Sequence, residues 1–268
     1  GKSTVLRNMR LKTRLLSEEK RKEIQNDPFL GFYLHSNHSL NIPFGGKNIQ
    51  TSELDSDLML HYFNLLYTHE IVDSLRLYER TMGKNFNENG KKAVFDYVAK
   101  YFQKPPPVFD TTDMFDALKT ALEREAKLVE ILMVKKRPVT SFTGVKYLLD
   151  LCVVLRENIS LFEDKKLYFL LDDFSDARGI SENIQKSINR VIGIRNDKFC
   201  FKITTERFAF IPYDLNGNRL EQGREYEYCD LSQKFITHKI KEDEEEFVRT
   251  LVGKRFARAG IKLSLIHI

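Results

Sequence analysis

Leu167-Tyr168-Phe169-Leu170-Leu171 is an unbroken apolar run that ends in two acids, Asp172-Asp173. A strand with one face in water alternates apolar and polar residues. This run does not alternate, which is the pattern of a strand buried on both faces in a parallel sheet covered by helices. Two neighbouring carboxylates at its end repel each other, and a nearby cation is a natural resolution. A solvated acid pair is the plainer alternative. Downstream, Ser181 can cap a helix whose Ile184, Ile188, Val191 and Ile192 share one face. Phe199-Cys200-Phe201-Lys202-Ile203 is then a second strand, ending at Thr204-Thr205. Strand, helix, strand in that order predicts an α/β domain. Phe208 to Tyr213 reads as a short strand, Asn216-Gly217-Asn218 as a turn, and Glu225 to Leu231 as the last strand of the sheet. A charged helix from about Asp243 to Ala259 follows.

Upstream of the acids the chain is mostly helical. Val5, Leu6, Met9 and Leu16 suit one helix from about Thr4 to Gln25, stopped by Asn26-Asp27-Pro28. Phe29 to His35 reads as a short buried strand, and Asn41 to Lys47 as a loop. Leu58, Tyr62, Leu65, His69 and Val72 repeat at helical spacing from about Ser52 to Tyr78. Lys91 to Phe102 is a second helix, stopped before Pro105-Pro106-Pro107. Thr112-Asp113 can cap a third, with Phe115, Leu118, Leu122 and Val129 on one face, and Lys135-Lys136-Arg137-Pro138 closes it. Thr143 to Glu157 is a fourth. Residues from about 52 to 157 are therefore expected to be largely helical.

Composition narrows the class. With 268 residues and 42% apolar side chains, the chain has material for one large domain with a real core, or for one domain plus part of another. The net charge of +5 permits an anionic partner such as nucleic acid without arguing for one. Cys152, Cys200 and Cys229 lie far apart with no paired spacing, so they read as small buried hydrophobes rather than disulfides or zinc ligands. The histidines show no ligand spacing either, and His69 on a helix stripe reads as a core or boundary residue. No apolar run approaches a transmembrane length and no signal peptide opens the chain, so a soluble cytoplasmic protein is expected.

The chain opens on Gly1-Lys2-Ser3-Thr4 at the start of a helix. This is the close of the phosphate-binding pattern G-x-x-x-x-G-K-[ST]. The glycine lets the backbone approach phosphate, the lysine neutralises the outer phosphates, and the hydroxyl after it binds Mg²⁺. The helix N-terminus adds partial positive charge. A chance Gly-Lys-Ser, with Ser3 as a cap, is the alternative. The pair Asp172-Asp173 fits the second acidic element of phosphate-loop ATPases: the first acid addresses the metal and its waters, the second orients or deprotonates the attacking water. One helix and one strand later, Thr204-Thr205 stands where a polar residue can contact the outer phosphate. The expected start of the chain is inside a truncated phosphate loop, and Leu263 to Ile268 reads as a translated adapter tail.

Gly-Lys-Ser-Thr opening a helix, Gly31-Phe32-Tyr33-Leu34, Leu170-Leu171-Asp172-Asp173 and Phe201-Lys202-Ile203-Thr204-Thr205 together resemble the initiator-type, origin-recognition-like branch of AAA+ and STAND ATPases. The resemblance implies a parallel-sheet P-loop core over 1–235 and the start of a helical lid over 236–262. Beside it, the long spacing from Lys2 to Asp172 makes residues from about 52 to 157 a helical insertion. It implies ATP and Mg²⁺ as ligands, held by Gly1, Lys2, Ser3 and Thr4, with Ser3 and Asp172 at the metal. It makes Asp173 the catalytic acid and Thr204 or Thr205 the sensor. Many AAA+ proteins carry glutamate at the position of Asp173. Two aspartates are common in STAND-type switches, which implies slow hydrolysis driving a regulatory switch, in bacterial defence or signalling. Arg190, Arg195 and Arg207 lie near the right part of the chain for an arginine finger, and Arg255 for a lid arginine; none is assigned. A protein partner or self-association is expected. An ATP-dependent DNA-binding initiator or loader and a non-hydrolysing nucleotide-binding module are the alternatives.

Overall fold

The structure, a computed structural model, describes residues 2–41, 53–104, 113–135, 142–175, 180–194, 196–206 and 209–230. The chain divides into two compact units, Gly1–Tyr226 and Glu227–Ile268. Of the second, the described residues 227–230 carry no regular structure.

The first unit is mixed α/β, as its sequence pattern predicts. Three short helices come first: α1 (Lys2–Met9), α2 (Leu11–Leu15) and α3 (Glu18–Arg21). Strand β1 (Phe29–His35) follows, and a short π-turn over Asn37–Asn41. The insertion holds α4 (Glu53–Met82), α5 (Glu88–Ala99), α6 (Met114–Lys135) and α7 (Tyr147–Asn158). Strand β2 (Lys166–Asp172), α8 (Glu182–Ile192) and β3 (Phe199–Ile203) complete it. The sheet is parallel throughout, with β2 between β1 and β3.

The register sorts the side chains onto two faces. Leu30, Phe32 and Leu34 of β1 and Leu167, Phe169 and Leu171 of β2 enter the main core. There α4 covers them: the Tyr67 ring meets Phe169 edge-on at 4.8 Å. Tyr33 and Leu170 face the other way and pack with Leu6 of α1 in a separate small cluster. Both faces are therefore covered, which is why Leu167 to Leu171 shows no alternation.

Several expected elements differ. The single helix over residues 4–25 is broken at Arg10, which is extended and forms a parallel bridge with Gly31. A side chain at position 31 would collide with the Met9 carbonyl, so glycine permits this crossing. Ser17 caps the next short helix by accepting from the Lys20 amide. The fourth insertion helix begins at Tyr147 rather than Thr143, because Thr143 serves a buried polar cluster. Its amide donates to Nδ1 of His61 at 3.1 Å, and its hydroxyl accepts from Asn64 at 3.0 Å. Ser181 makes no side-chain cap. The described part of the strand expected over 208–213 is irregular, apart from a bridge between Tyr213 and Arg219 across the turn at Gly217. Residues 225–230 form no strand of the sheet. Cys152 is buried, but Cys229 is exposed. His69 is a boundary residue, 3.3 Å from Glu123. The expected lid over 236–262, the tail over 263–268, Gly1, Arg195, Arg207 and Arg255 lie outside the described residues.

Candidate functional site

Parallel strands end at one edge, so their last residues meet. His35 lies beside Asp172 in the register of β1 and β2, and the Thr204 amide donates to the Leu171 carbonyl at 2.9 Å. The N-terminus of α1 points at the same edge: Nζ of Lys2 donates to the Thr205 carbonyl at 2.6 Å. Lys2, Ser3, Asp172, Asp173, Thr204 and Thr205 are thus brought together from three separated stretches of chain.

Asp172 is the centre of the arrangement and is fully buried. The Thr204 hydroxyl donates to its Oδ1, and the Tyr33 hydroxyl to its Oδ2 at 2.6 Å. Ser3 also hydrogen-bonds it. Burial pushes the Asp172 carboxyl up. The hydrogen bonds from Thr204, Tyr33 and Ser3, with His35 nearby, outweigh burial and hold it below its ordinary value. Asp172 is therefore a carboxylate at neutral pH. Burial, then the bond to Asp172, pushes the Tyr33 hydroxyl up to about 12, so it stays a donor.

Asp173 takes a left-handed backbone with φ of 55°, unusual for a residue other than glycine. The strand ends at Asp172, immediately before this residue. Its amide donates to the Thr204 hydroxyl oxygen at 3.0 Å, and its Oδ2 lies 3.3 Å from Nε2 of His35. One ligand atom each from His35, Asp172 and Asp173 falls within 4.8 Å of the others. The oxygen donors Ser3 and Asp172 suit a hard cation such as Mg²⁺, which takes one or two carboxylates and keeps several waters. Thr4 is the third residue of α1. Arg190 is committed elsewhere, to Asp57 of α4 at 2.9 Å.

Tyr33 and His35 were not among the expected site residues. Their signal was parity. In β1, Gly31, Tyr33 and His35 share one face, and two polar residues there end an otherwise apolar strand.

A parallel sheet with helices on both faces, a Lys-Ser helix start and an acid pair at one strand edge are compatible with a P-loop NTPase-like core. Compared with known families, residues 1–266 match the ORC-CDC6-like family. The chain belongs to that family, which is of the AAA+ ATPase-like type. No curated protein and no solved structure matches the chain. Among the described residues no helix is long and apolar enough to cross a membrane.

Proposed function

We propose that this chain binds ATP with Mg²⁺ at the C-terminal edge of its sheet and hydrolyses it slowly, as a regulatory switch of the STAND kind. The observation that carries the reading is the convergence of Lys2 and Ser3 with Asp172, Asp173 and Thr204. Gly1 to Thr4 are read as the close of a Walker A loop, with the α1 N-terminus and Lys2 toward phosphate. Ser3 and Asp172 would hold Mg²⁺, which when bound neutralises charge on the outer phosphates. Asp173 orients the attacking water and accepts its proton, with His35 steadying its carboxylate. Thr204 links the two acids, since its hydroxyl donates to Asp172 and accepts from the Asp173 amide. Thr205 is the companion sensor residue, reached through its carbonyl by Lys2. The ATPase domain is assigned to 1–235, a lid to 236–262, and the partner is a protein or a second copy.

The family match favours one further reading, an ATP-dependent DNA-binding initiator. Salt-dependent DNA binding by the natural full-length protein distinguishes it from a switch that acts on protein.

The test is Mg·ATP binding and turnover by the full-length protein beside Lys2→Ala and Asp173→Asn. Lys2→Ala is expected to lose binding. Asp173→Asn is expected to bind and not turn over. If both variants match the parent protein in binding and turnover, the site is wrongly placed.

A further inference from the structure

We infer that Tyr33 is the positioning residue for the metal-binding carboxylate, its hydroxyl fixing the rotation of Asp172 from the neighbouring strand. The inference rests on the nucleotide and Mg²⁺ reading above and deepens it.

The argument begins with register. Tyr33 pairs with Leu170, so Asp172 is its diagonal neighbour two residues further along β2, on the same face. A diagonal neighbour is within reach of an aromatic or other long side chain. The hydroxyl arrives at 2.6 Å from Oδ2. From the opposite side, after β3, Thr204 supplies the matching donor to Oδ1. The carboxylate on the central strand is thus held at both oxygens by hydroxyls, one from β1 and one from the residue that follows β3. A carboxylate held at one oxygen can rotate about its bond to the chain. One held at both presents a single set of remaining lone pairs, and Ser3 stands there.

Arg7 sets the direction of the tyrosine proton. Its Nε donates to the Tyr33 oxygen at 3.3 Å, which fills the acceptor side and leaves the hydroxyl proton for Asp172. The guanidinium groups of Arg7 and Arg10 lie over the ring at 5.8 and 5.5 Å. Arg7 belongs to the helix that begins with Lys2 and Ser3, so the residues toward phosphate and the clamp on the acid share one rigid element. A second layer that orients a metal ligand is worth about 10–100-fold in metal affinity.

The test is Mn²⁺ binding by electron paramagnetic resonance, using the natural full-length protein with a non-hydrolysable ATP analogue. Analogue binding in EDTA is measured beside it. Tyr33→Phe keeps the ring, the arginines over it and its packing on Leu6 and Leu170, and removes the hydroxyl with its bonds to Asp172 and Arg7. It is expected to weaken Mn²⁺ binding about 10–100-fold and to leave metal-free analogue binding unchanged. Arg7→Gln, at an exposed position that leaves the core intact, is expected to act in the same direction by a smaller factor. Asp172→Asn is the reference. If Asp172→Asn loses Mn²⁺ while Tyr33→Phe and Arg7→Gln bind it like the parent, the positioning role is overturned and the site reading stands. If Asp172→Asn also binds Mn²⁺ like the parent, the metal reading fails and the positioning role with it. If Tyr33→Phe weakens metal-free analogue binding as much as Mn²⁺ binding, the hydroxyl serves only the local fold, which also overturns the inference.

Discussion

Gly31→Ala tests the crossing that places α1 over the sheet. A Cβ built at Gly31 stands 3.0 Å from the Met9 carbonyl carbon and 2.9 Å from Cδ1 of Leu170, and closer still to the Met9 oxygen. The leucine methyl can turn away, but the backbone oxygen cannot. Carbon and carbonyl oxygen tolerate about 3.3 Å at closest, so α1 has to withdraw by about 1 Å. Overpacking of this kind costs about 1–3 kcal/mol. A unit of this size unfolds with a urea slope near the upper end of the usual range, about 3 kcal/mol/M, so the midpoint should fall by about 0.3–1 M. Gly144→Ala is the control, because nothing lies within 4 Å of its added Cβ; it should stay within about 0.5 kcal/mol of the parent. The displaced helix carries Lys2 and Ser3, so ATP affinity should fall with the urea midpoint. If Gly31→Ala unfolds where Gly144→Ala does, with ATP affinity intact, α1 does not cross β1 at this position.

Two further outcomes follow from charge and burial. Asp73 faces Lys12, Lys119 at 2.7 Å and Arg76 at 3.4 Å. Burial pushes its carboxyl up, but Lys119 and Lys12 outweigh it and hold it below its ordinary value. A depressed folded value means stability that is complete above the unfolded pKa of about 3.9 and is lost as pH falls through the lower folded value. The difference in melting temperature between the parent and Asp73→Asn should therefore be flat from about pH 5 upward and narrow below about pH 4; a gap still flat at about pH 3 would contradict the pairing. Cys152 is buried, which pushes its thiol up to about 12, and only the thiolate reacts. A disulfide reagent at about pH 8 should modify exposed Cys229 first and reach Cys152 only on unfolding; rapid modification of Cys152 in the native protein would mean that α7 is not packed as described.

Three of the five expected strands were legible, β1 and β2 because burial on both faces writes itself into composition; the strands expected over 208–213 and 225–231 are not strands in their described parts. Phe29 to His35 and Phe199 to Ile203 are strands over the residues expected, and the run at Leu167 extends by one residue at each end. The helices of the insertion were legible in number and approximate length, since each has its own apolar stripe. The break at Arg10 was not legible. Neither proline nor glycine marks it; its cause is a bridge to Gly31, 21 positions along the chain, together with the pairing of Arg10 with Glu70 of α4 at 2.7 Å. Thr143 was misplaced for the same kind of reason, since its partners His61 and Asn64 lie in another helix.

The site divides along the same line. Asp172 and Thr204 could be paired from sequence, because in a parallel sheet the last residues of successive strands arrive at a common edge whatever the register. Tyr33 could not be added to them, because its contact depends on register. If β1 slipped by one residue, Tyr33 would turn onto the α4 face and Phe32 or Leu34 would stand beside Asp172, leaving Oδ2 without its donor. The apolar pattern on the α4 face holds that register: Leu30, Phe32 and Leu34 must meet Leu167, Phe169 and Leu171 in the core. The packing of one face of the sheet therefore decides the chemistry available on the other. Strand parity shows which residues of one strand share a face but not the alignment between strands, and only that alignment brings the tyrosine hydroxyl to the carboxylate.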